Sequence, residues 1–310
     1  MDCQAFIEQQ VAALRQTVGD GLAINALSGG VDSSVVTALG HRALGDRLRT
    51  VFIDNALMRE GEPEHVVQMF SELGIAVERI DAMQEFMGAL AGLTDPEEKR
   101  QAITATFYRE VFGRLVRESG ARFLLHGTIL TDIEETVAGI KRQHNILAQL
   151  GVDPEQEYGY QVLEPLATLR KDGVRQLARE LGLPAELANR IPFPGPALAT
   201  RIVGEVTPER LATVRTATAI VEEELADTGA FQYMAVLLQD KATGIRDGRR
   251  EFGDIIVVRC IDSVDAREAT AVELPWPKLA TICQRITAIA GVNRCLYDLT
   301  PKPPATIEYV

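Results

Sequence analysis

Short apolar runs alternate with amphipathic stretches through the first 190 residues of the chain. Five short stretches are predicted to be strands: 22–27, 48–53, 76–80, 122–126 and 161–164. The first is apolar apart from Asn25, which is typical of a strand that a parallel sheet buries on both faces. Helical spacing of apolar residues predicts helices between and before them: 5–17, from 35 onwards, 62–73, 95–118 and 171–181. Such alternation predicts an α/β domain with a doubly wound parallel sheet.

The pattern changes at residues 191–197, where three prolines fall within five positions. Prolines at this density cannot lie inside a helix or a central strand, so we place a domain boundary here. The predicted domains are 1–190 and 191–310. The second is a smaller α+β domain. Its predicted helices are 208–226 and 277–290, and its predicted strands are 231–238, 254–261, 294–298 and 305–310.

The segment Ser28–Ser34, with sequence SGGVDSS, joins the first predicted strand to the helix that follows. Paired glycines let backbone N–H groups approach an anion, and the positive end of a helix dipole favours negative charge at that point. The serines add hydroxyl donors. No G-x-x-x-x-G-K-[ST] motif occurs in the chain, so this is not a Walker loop. An ordinary Gly-Gly turn with an N-cap serine is the alternative interpretation.

Composition narrows the class of protein further. The net charge is −12 and the pI is about 5.0, with no basic run, so nothing predicts nucleic-acid binding. No apolar run approaches 18 residues, so no membrane span is expected. The four cysteines are far apart and show no C-x-x-C spacing, and the N-terminus lacks the pattern of a signal peptide. We therefore expect a cytoplasmic protein without disulfides or a dedicated metal site.

Taken together, these motifs make the chain similar to the ATP-pyrophosphatase part of GMP synthetase over nearly all of its length. The stretches that carry the resemblance are 26–34, 94–97, 126–128, 140–141, 192–196 and 297–308. The tail Lys302–Glu308 is the most specific, because it separates this family from the NAD and argininosuccinate synthetases. The resemblance implies an adenine nucleotide alpha-hydrolase-like fold for residues 1–190, with a lid loop at about 129–150. It implies a dimerisation domain for residues 191–310.

The resemblance also implies a two-step reaction in GMP biosynthesis, and hence in purine biosynthesis. XMP is adenylated by ATP with Mg²⁺, pyrophosphate leaves, and ammonia then displaces AMP. The chain's length resembles that of the free-standing synthetase subunit of two-subunit enzymes. No cysteine lies in the Gly-rich turn that a glutaminase nucleophile needs, so the ammonia is expected from a separate glutaminase subunit or from solution. A homodimer joined through the second domain is also expected.

The residues that the resemblance singles out fall into three groups. The ATP-binding group is Ser28, Gly29, Gly30, Val31, Asp32, Ser33, Ser34, Ile53, Gly127 and Thr128, of which Ile53 lies beside the adenine. The catalytic group, which contacts phosphates and shapes adenylation, is Asp32, Asp132, Glu135, Lys141 and Lys171. The substrate group is Arg201 and Lys302, which grip the nucleotide 5′-phosphate, and Glu308, near the ribose or C-terminal pocket.

Several departures from the family pattern leave alternatives open. The lid carries Gln143 in place of a histidine, and Ala197 stands where a second glycine is usual. The purine-framing segment is replaced by 243–247, one residue shorter. One alternative is a paralogue that adenylates another nucleotide or carbonyl acceptor. One version of it uses sulfur as the nucleophile and would need an exposed thiolate, for which Cys260 is the candidate, although a buried strand cysteine is the favoured interpretation of that residue. The other is a nucleotide-binding subunit without enzymatic activity.

Overall fold

The computed structural model describes residues 1–137, 160–189, 193–264 and 266–310. The chain divides into two compact units. The first comprises Met1–Asp54, Pro63–Ala82 and Ala105–Arg190; the second comprises Asn55–Glu62, Met83–Thr104 and Ile191–Val310. Within the described ranges, no helix has both the length and the apolar composition needed to cross a membrane.

The first unit contains a sheet of five parallel strands in the order β3-β2-β1-β4-β5. In chain order these are β1 Ala23–Ala26, β2 Leu48–Asp54, β3 Val77–Asp81, β4 Phe123–Leu125 and β5 Gln161–Leu163. The prediction of a doubly wound parallel sheet is thus confirmed. The strand order reverses at β1, whose neighbours are β2 and β4. The carboxyl ends of β1 and β4 therefore form the crevice where sheets of this class bind ligands.

Helices accompany these strands much as the apolar spacing predicted. Their bounds are Cys3–Val18, Val31–Leu44, Glu62–Glu72, Gly113–Ser119, Leu130–Val137, Lys171–Glu180 and Ala185–Asn189, with a 3₁₀ turn at Gly45–Arg47. The first is typical: Asp2 caps its N-terminus by accepting a hydrogen bond from the Ala5 amide. Its buried residues are Ile7, Val11, Leu14 and Val18, at the spacing of one helix face.

A buried polar network links two strands to the helix that follows the first of them. Asn25 of β1 donates to the Thr37 hydroxyl at 2.7 Å and accepts from the Thr50 hydroxyl of β2 at 2.8 Å. All three side chains are buried. Because a satisfied polar network in a low-dielectric interior permits one arrangement, it fixes the register of helix Val31–Leu44 against the sheet.

One predicted helix is interrupted. The sequence predicts a continuous helix over 95–118, but the structure has an α-helix at Pro96–Ala105, a π-helical segment at Thr106–Phe112 and a further α-helix at Gly113–Ser119. The wider turn places Phe107 and Phe112, five residues apart, with their rings stacked at 6.3 Å between centroids. Phe107 also meets Tyr108 edge-on at 4.8 Å. Packing of these aromatic rings accompanies the change of helical period.

The second unit contains a four-stranded sheet around a long hairpin. Its strands are β6 Gln232–Arg246, β7 Arg249–Asp262, β8 Thr270–Ala271 and β9 Val292–Tyr297. β7 pairs antiparallel with β6 and β8 and parallel with β9. Its helices are Met83–Leu90, Pro96–Ala105, Pro208–Leu225 and Trp276–Thr287, with a 3₁₀ helix at Ala197–Arg201. The α+β prediction for this part of the chain is confirmed.

The hairpin is longer than the sequence predicted. The predicted strands 231–238 and 254–261 leave a long connection between them, whereas β6 and β7 continue until only two residues join them. Asp247 and Gly248 both adopt positive φ, +51° and +75°. Such a two-residue turn matches the twist of the flanking strands. The segment 243–247 therefore forms the outer end of the hairpin.

The predicted strand at 305–310 is wrong. That segment forms no strand, and its carbonyl groups are bound by a side chain instead. The buried Arg259 donates to the carbonyl oxygens of Thr306 at 3.0 Å and Ile307 at 3.3 Å. Pro301, Pro303 and Pro304 precede the segment and cannot donate to a ladder, so the tail enters in an irregular conformation.

Two segments that precede residue 191 belong to the second unit. The Leu57 carbonyl accepts from the Leu198 amide at 3.0 Å, and the Met58 carbonyl accepts from the Arg215 guanidinium at 3.0 Å. The Gly92 amide donates to the Glu205 carboxylate at 2.8 Å. These long-range bonds tie 55–62 and 83–104 to the chain after 191, although in sequence both segments lie within the predicted first domain.

Candidate functional site

The Ser28–Ser34 loop leaves the carboxyl end of β1 and is held open by its own hydroxyl groups. The Ser33 hydroxyl donates to the Gly30 carbonyl at 3.0 Å, accepts from the Ser28 amide at 3.2 Å and lies 3.0 Å from the Ser28 hydroxyl. Gly29 takes a φ of +75°, a conformation that favours glycine. The Ser34 hydroxyl is buried and donates to the Gly30 carbonyl at 2.9 Å, so it bonds to the backbone at the start of its own helix.

Two helices begin near one another at this loop, and neither start is capped by a side chain. Gly30 precedes helix Val31–Leu44, and Arg170 precedes helix Lys171–Glu180, without a side-chain cap bond in either case. The Lys171 amine lies 2.6 Å from Asp32 Oδ2, which joins the two helix starts. First-turn N–H groups without caps, together with two positive helix ends and a lysine, favour an anion.

Asp32 has one oxygen in use and one without a partner. Oδ2 accepts from Lys171, whereas Oδ1 is buried and has no hydrogen-bond partner among the described residues. An unpartnered carboxylate oxygen is the ligand type that Mg²⁺ prefers. In the described ranges, no three or more His, Cys, Asp or Glu side chains are grouped to hold a metal ion. The residues present therefore fit an ion held jointly with a ligand's oxygens.

Gly127 and Thr128 continue the site from the end of β4. A Cβ at Gly127 would lie 3.4 Å from the Ser33 amide nitrogen, so the two loops are in close contact there. The buried Thr128 hydroxyl donates to Glu164 at 2.6 Å and lies 2.8 Å from His126 Nδ1. The side chain of Thr128 is thus occupied in joining β4 to the segment after β5.

A cavity of about 220 Å³ adjoins the Ser28–Ser34 loop. Its polar wall includes Ser28, Asp32, Ser33, His126 and Gly127, and its apolar wall includes the rings of the π-helical segment, Phe107, Tyr108 and Phe112. Burial raises the pKa of the Tyr108 hydroxyl to about 12, so this group stays protonated at neutral pH. The cavity therefore joins the polar groups of the Ser28–Ser34 loop to an aromatic surface.

The remaining residues predicted for the first unit are placed as follows. Ile53 is buried on β2, next to its carboxyl end. Asp132 lies in the first turn of helix Leu130–Val137 and accepts from the Ile129 amide at 3.1 Å. Glu135 belongs to the same helix. Lys141 and most of the predicted lid lie outside the described residues.

In the second unit, Arg201 and Glu308 come together although 107 residues separate them. Arg201 Nε lies 3.5 Å from Glu308 Oε2, and Gln232 donates to Glu308 Oε1 at 2.5 Å. Arg201 is 0% exposed, and both terminal nitrogens of its guanidinium have no hydrogen-bond partner among the described residues. A buried guanidinium with two unpaired nitrogens is costly unless an anion completes it. Burial lowers the pKa of Arg201 from its ordinary value, and Glu308 opposes that shift.

Phe193 and Arg59 border this pair. The Phe193 ring lies 4.8 Å from the Arg201 guanidinium and 3.9 Å from that of Arg59. Arg59 is held by Glu222 at 2.6 Å. Ala197, the first residue of the 3₁₀ helix that ends at Arg201, has a φ of +53°, so the backbone takes the left-handed conformation although glycine is absent. The departure from the family pattern at this position does not remove that conformation.

Lys302 lies in the same unit, and no hydrogen bond joins it to Arg201 or Glu308 in the described residues. Its amine donates to the Ala266 carbonyl at 2.7 Å, and its backbone pairs with Ala269. The structure thus brings Arg201 and Glu308 into contact, whereas the Lys302 amine is bonded to a main-chain carbonyl.

Sequence reasoning missed several residues around these sites. His126 and Glu164 end neighbouring parallel strands, a signal that could have identified them. Gln232 and Lys99 carry no such signal, because only the fold brings Gln232 to Glu308 and Lys99 to the segment that holds Arg201. Cys260, considered as a thiolate, is fully buried, and burial raises the pKa of its thiol to about 11. A thiol of this kind is protonated and poorly reactive at neutral pH.

Comparisons with known proteins find two family models and several full-length relatives that share one name. The family model described as NAD synthase matches residues 2–109, and the model described as GMP synthase C terminal domain matches residues 219–309. A protein of Archaeoglobus fulgidus, named as one subunit of glutamine-hydrolyzing GMP synthase, is 51% identical over 310 residues, with 100% of both chains covered. Proteins of the same name from Thermococcus kodakarensis and Pyrococcus furiosus are 50% and 48% identical. These alignments cover 98% of both chains for the former, and 99% of this chain and 97% of the relative for the latter.

Proposed function

The chain belongs to the family of glutamine-hydrolyzing GMP synthase subunits, and we propose that it catalyses the ATP-dependent amination of XMP to GMP. In the first step the C2 carbonyl oxygen of XMP attacks the α-phosphorus of ATP, and the bond to the pyrophosphate leaving group breaks. In the second step ammonia attacks C2 and AMP leaves. The products are GMP, AMP and pyrophosphate.

ATP is the substrate of the first unit in this proposal. The Ser28–Ser34 loop supplies amide and hydroxyl donors, and Lys171 supplies a positive charge beside Asp32. Charge that develops on the phosphates in the transition state is stabilised by donors already fixed in place. Ile53, Gly127 and Thr128 border the nucleotide, and Asp132, Glu135 and Lys141 contribute from the predicted lid.

Mg²⁺ is the proposed cofactor, and Asp32 Oδ1 would hold it. When bound, Mg²⁺ neutralises charge on the phosphate oxygens. The chain's own contribution is to keep that oxygen unpaired while Lys171 occupies the other.

The observation that carries the assignment of the second substrate is the unpaired state of Arg201. Two buried guanidinium nitrogens without partners among the described residues fit the bidentate contact that a phosphate makes. We propose that Arg201 and Lys302 hold the 5′-phosphate of XMP and that Glu308 lies near its ribose. The second substrate is then a nucleotide and not a free base.

Ammonia is proposed to come from a separate glutaminase subunit, because the relatives are named as one subunit of a glutamine-hydrolyzing enzyme. The sulfur-transfer alternative gains nothing from Cys260, whose thiol is buried and protonated at neutral pH. We also propose a homodimer joined through the second unit, where Ile245 and Phe252 are 80% and 68% exposed at the end of the hairpin. A cytoplasmic location is consistent with four free cysteines.

The decisive experiment is a product assay with ATP, Mg²⁺, XMP and ammonium. We expect pyrophosphate, AMP and GMP in equal amounts. Release of ADP would contradict the assigned chemistry. Pyrophosphate release with another nucleotide, and none with XMP, would favour the paralogue.

A further inference from the structure

Lys99 is a buried cation that holds the backbone around Arg201. Lys99 is only 2% exposed. Its ammonium donates to the carbonyl oxygens of Ile202 at 2.7 Å, Gly204 at 3.1 Å and Ala199 at 3.4 Å. These three carbonyls lie on both sides of Arg201 in the chain. The three protons of an ammonium match three acceptors.

The backbone needs such a partner at this point. The 3₁₀ helix Ala197–Arg201 ends here, and carbonyl groups at a helix end have no partner within the helix. After it, Ile202 forms only an isolated bridge to Leu237. Lys99 satisfies carbonyls that neither a helix nor a sheet ladder would bind.

The arrangement has an energetic cost that a hydrophobic residue would avoid. Burial and, to a smaller extent, the charge of Arg210 lower the pKa of Lys99 while Asp95 opposes the shift, and the net result is a pKa of about 8. An ammonium that loses hydration is tolerated when hydrogen bonds replace the lost water. Arg210 also binds this stretch of backbone, because its guanidinium donates to the Val203 carbonyl at 2.8 Å.

We infer that Lys99 is a positioning residue for the phosphate contact of Arg201. By fixing the carbonyls before and after Arg201, it sets the direction of a guanidinium whose terminal nitrogens have no partner among the described residues. Lys99 itself does not touch the nucleotide in this scheme. The inference rests on the proposed function, because it takes the phosphate of XMP as the anion that Arg201 binds.

The test separates positioning from a general loss of stability by comparing two ligands. XMP and its nucleoside, xanthosine, differ by the 5′-phosphate alone. Their dissociation constants are measured by calorimetry without ATP for the wild type, Lys99→Met, Arg201→Met and the double variant. We expect Lys99→Met to weaken XMP binding about 10-fold and to leave xanthosine binding unchanged. In the double variant, we expect little loss beyond that of Arg201→Met.

Lys278→Met is the matched control. Lys278 also donates to a main-chain carbonyl, that of Glu224 at 2.9 Å, but it lies on helix Trp276–Thr287 and not beside Arg201. It should lose stability without a change in the ratio of XMP to xanthosine affinity. Lys99→Gln keeps a donor and removes the charge. If Lys99→Met fails to fold, the same ligand ratio in Lys99→Gln decides the question.

The outcomes separate the inference from the function on which it rests. If the wild type binds no XMP, both fall. If the wild type binds XMP but Lys99→Met and Lys99→Gln bind both ligands as the wild type does, only the inference is overturned. Equal losses for XMP and xanthosine, or fully additive losses in the double variant, would likewise assign Lys99 a general structural role.

Discussion

The two candidate binding regions are built in opposite ways. In the first unit, seven consecutive residues, Ser28–Ser34, form the candidate anion-binding loop, and most of its hydrogen bonds join residues within it. In the second unit, the candidate nucleotide site joins residues that are far apart in sequence. Arg201 and Gln232 both donate hydrogen bonds to the carboxylate of Glu308. The first is a local motif, and the second exists only after the chain has folded.

The two regions also differ in what holds the backbone. The loop of the first unit is bordered by regular strands and helices, so its geometry follows from the sheet. The irregular segments of the second unit are held by cations: Lys99 binds carbonyls at 199–204, and Arg259 binds carbonyls at 300–307. Where no ladder or helix satisfies carbonyl groups, a buried side chain must do so. The candidate site in this unit therefore depends on residues that are far apart in the sequence.

The largest expected effect tests the local site. Asp32→Ala and Lys171→Ala should each lower kcat for pyrophosphate release by about 10²- to 10³-fold, because each removes a charge at the phosphates. The pair is partly exposed, so the free energy of unfolding should change by no more than about 1 kcal/mol. Denaturant unfolding and the pyrophosphate assay measure both quantities.

Asp172→Ala is the control for this pair, since Asp172 follows Lys171 and its side chain is 89% exposed. It should behave as the wild type. Near-normal activity of folded Asp32→Ala or Lys171→Ala would remove the first unit's loop from the site.

The second prediction tests the dispersed site. Lys302→Ala should raise KM for XMP by about 10- to 100-fold, because one charged contact to a phosphate is lost. KM for ATP should stay nearly constant. Lys241→Ala removes a lysine that pairs with Asp254 on the hairpin and should leave both constants unchanged. A rise in KM for ATP equal to that for XMP would contradict the division of substrates between the two groups of residues.

The third prediction concerns the exposed apolar residues at the end of the hairpin in the second unit. The described sheet of the first unit has only parallel strands and therefore no such hairpin. Phe252→Asp should weaken the proposed dimer at least about 10-fold, because a charge would replace a large apolar contact. Sedimentation or light scattering at several concentrations measures this. Leu22→Asp alters a half-exposed apolar residue of the first unit and should not change the mass. A wild-type monomer at micromolar concentration would contradict the proposal at the outset.

The smallest expected effect is that of Gly127→Ala. The added Cβ would make an ordinary contact, 3.4 Å from the Ser33 amide, so stability should change by less than about 0.5 kcal/mol. If ATP lies against this strand end, its KM should rise a few-fold. Gly88→Ala, where a Cβ would meet nothing within 4 Å, serves as the control. An unchanged KM would place the nucleotide away from Gly127.

Prediction from the sequence succeeded where the pattern is local. All five strands of the parallel sheet were predicted to within about two residues, because short stretches with apolar residues alternate there with helical spacing. The hairpin turn also has a sequence signal, because Asp247-Gly248 is a residue pair typical of two-residue turns. The π-helical segment and the irregular tail were missed, since ring packing at Phe107 and side-chain capping by Arg259 decide them.

The sequence alone was enough to place a loop and a helix start after β1 and to predict an anion-binding site there, because strand, glycines, serines and helix start are contiguous. The family resemblance added Arg201, Lys302 and Glu308 by position. Only the tertiary structure decided that Arg201 and Glu308 meet, that Asp32 Oδ1 and the Arg201 nitrogens have no partner among the described residues, and that Lys99 reaches 100 residues ahead to hold this segment. The physical reason is that local patterns encode helices, strands and turns, whereas the pairing of buried charges depends on which distant groups burial brings together.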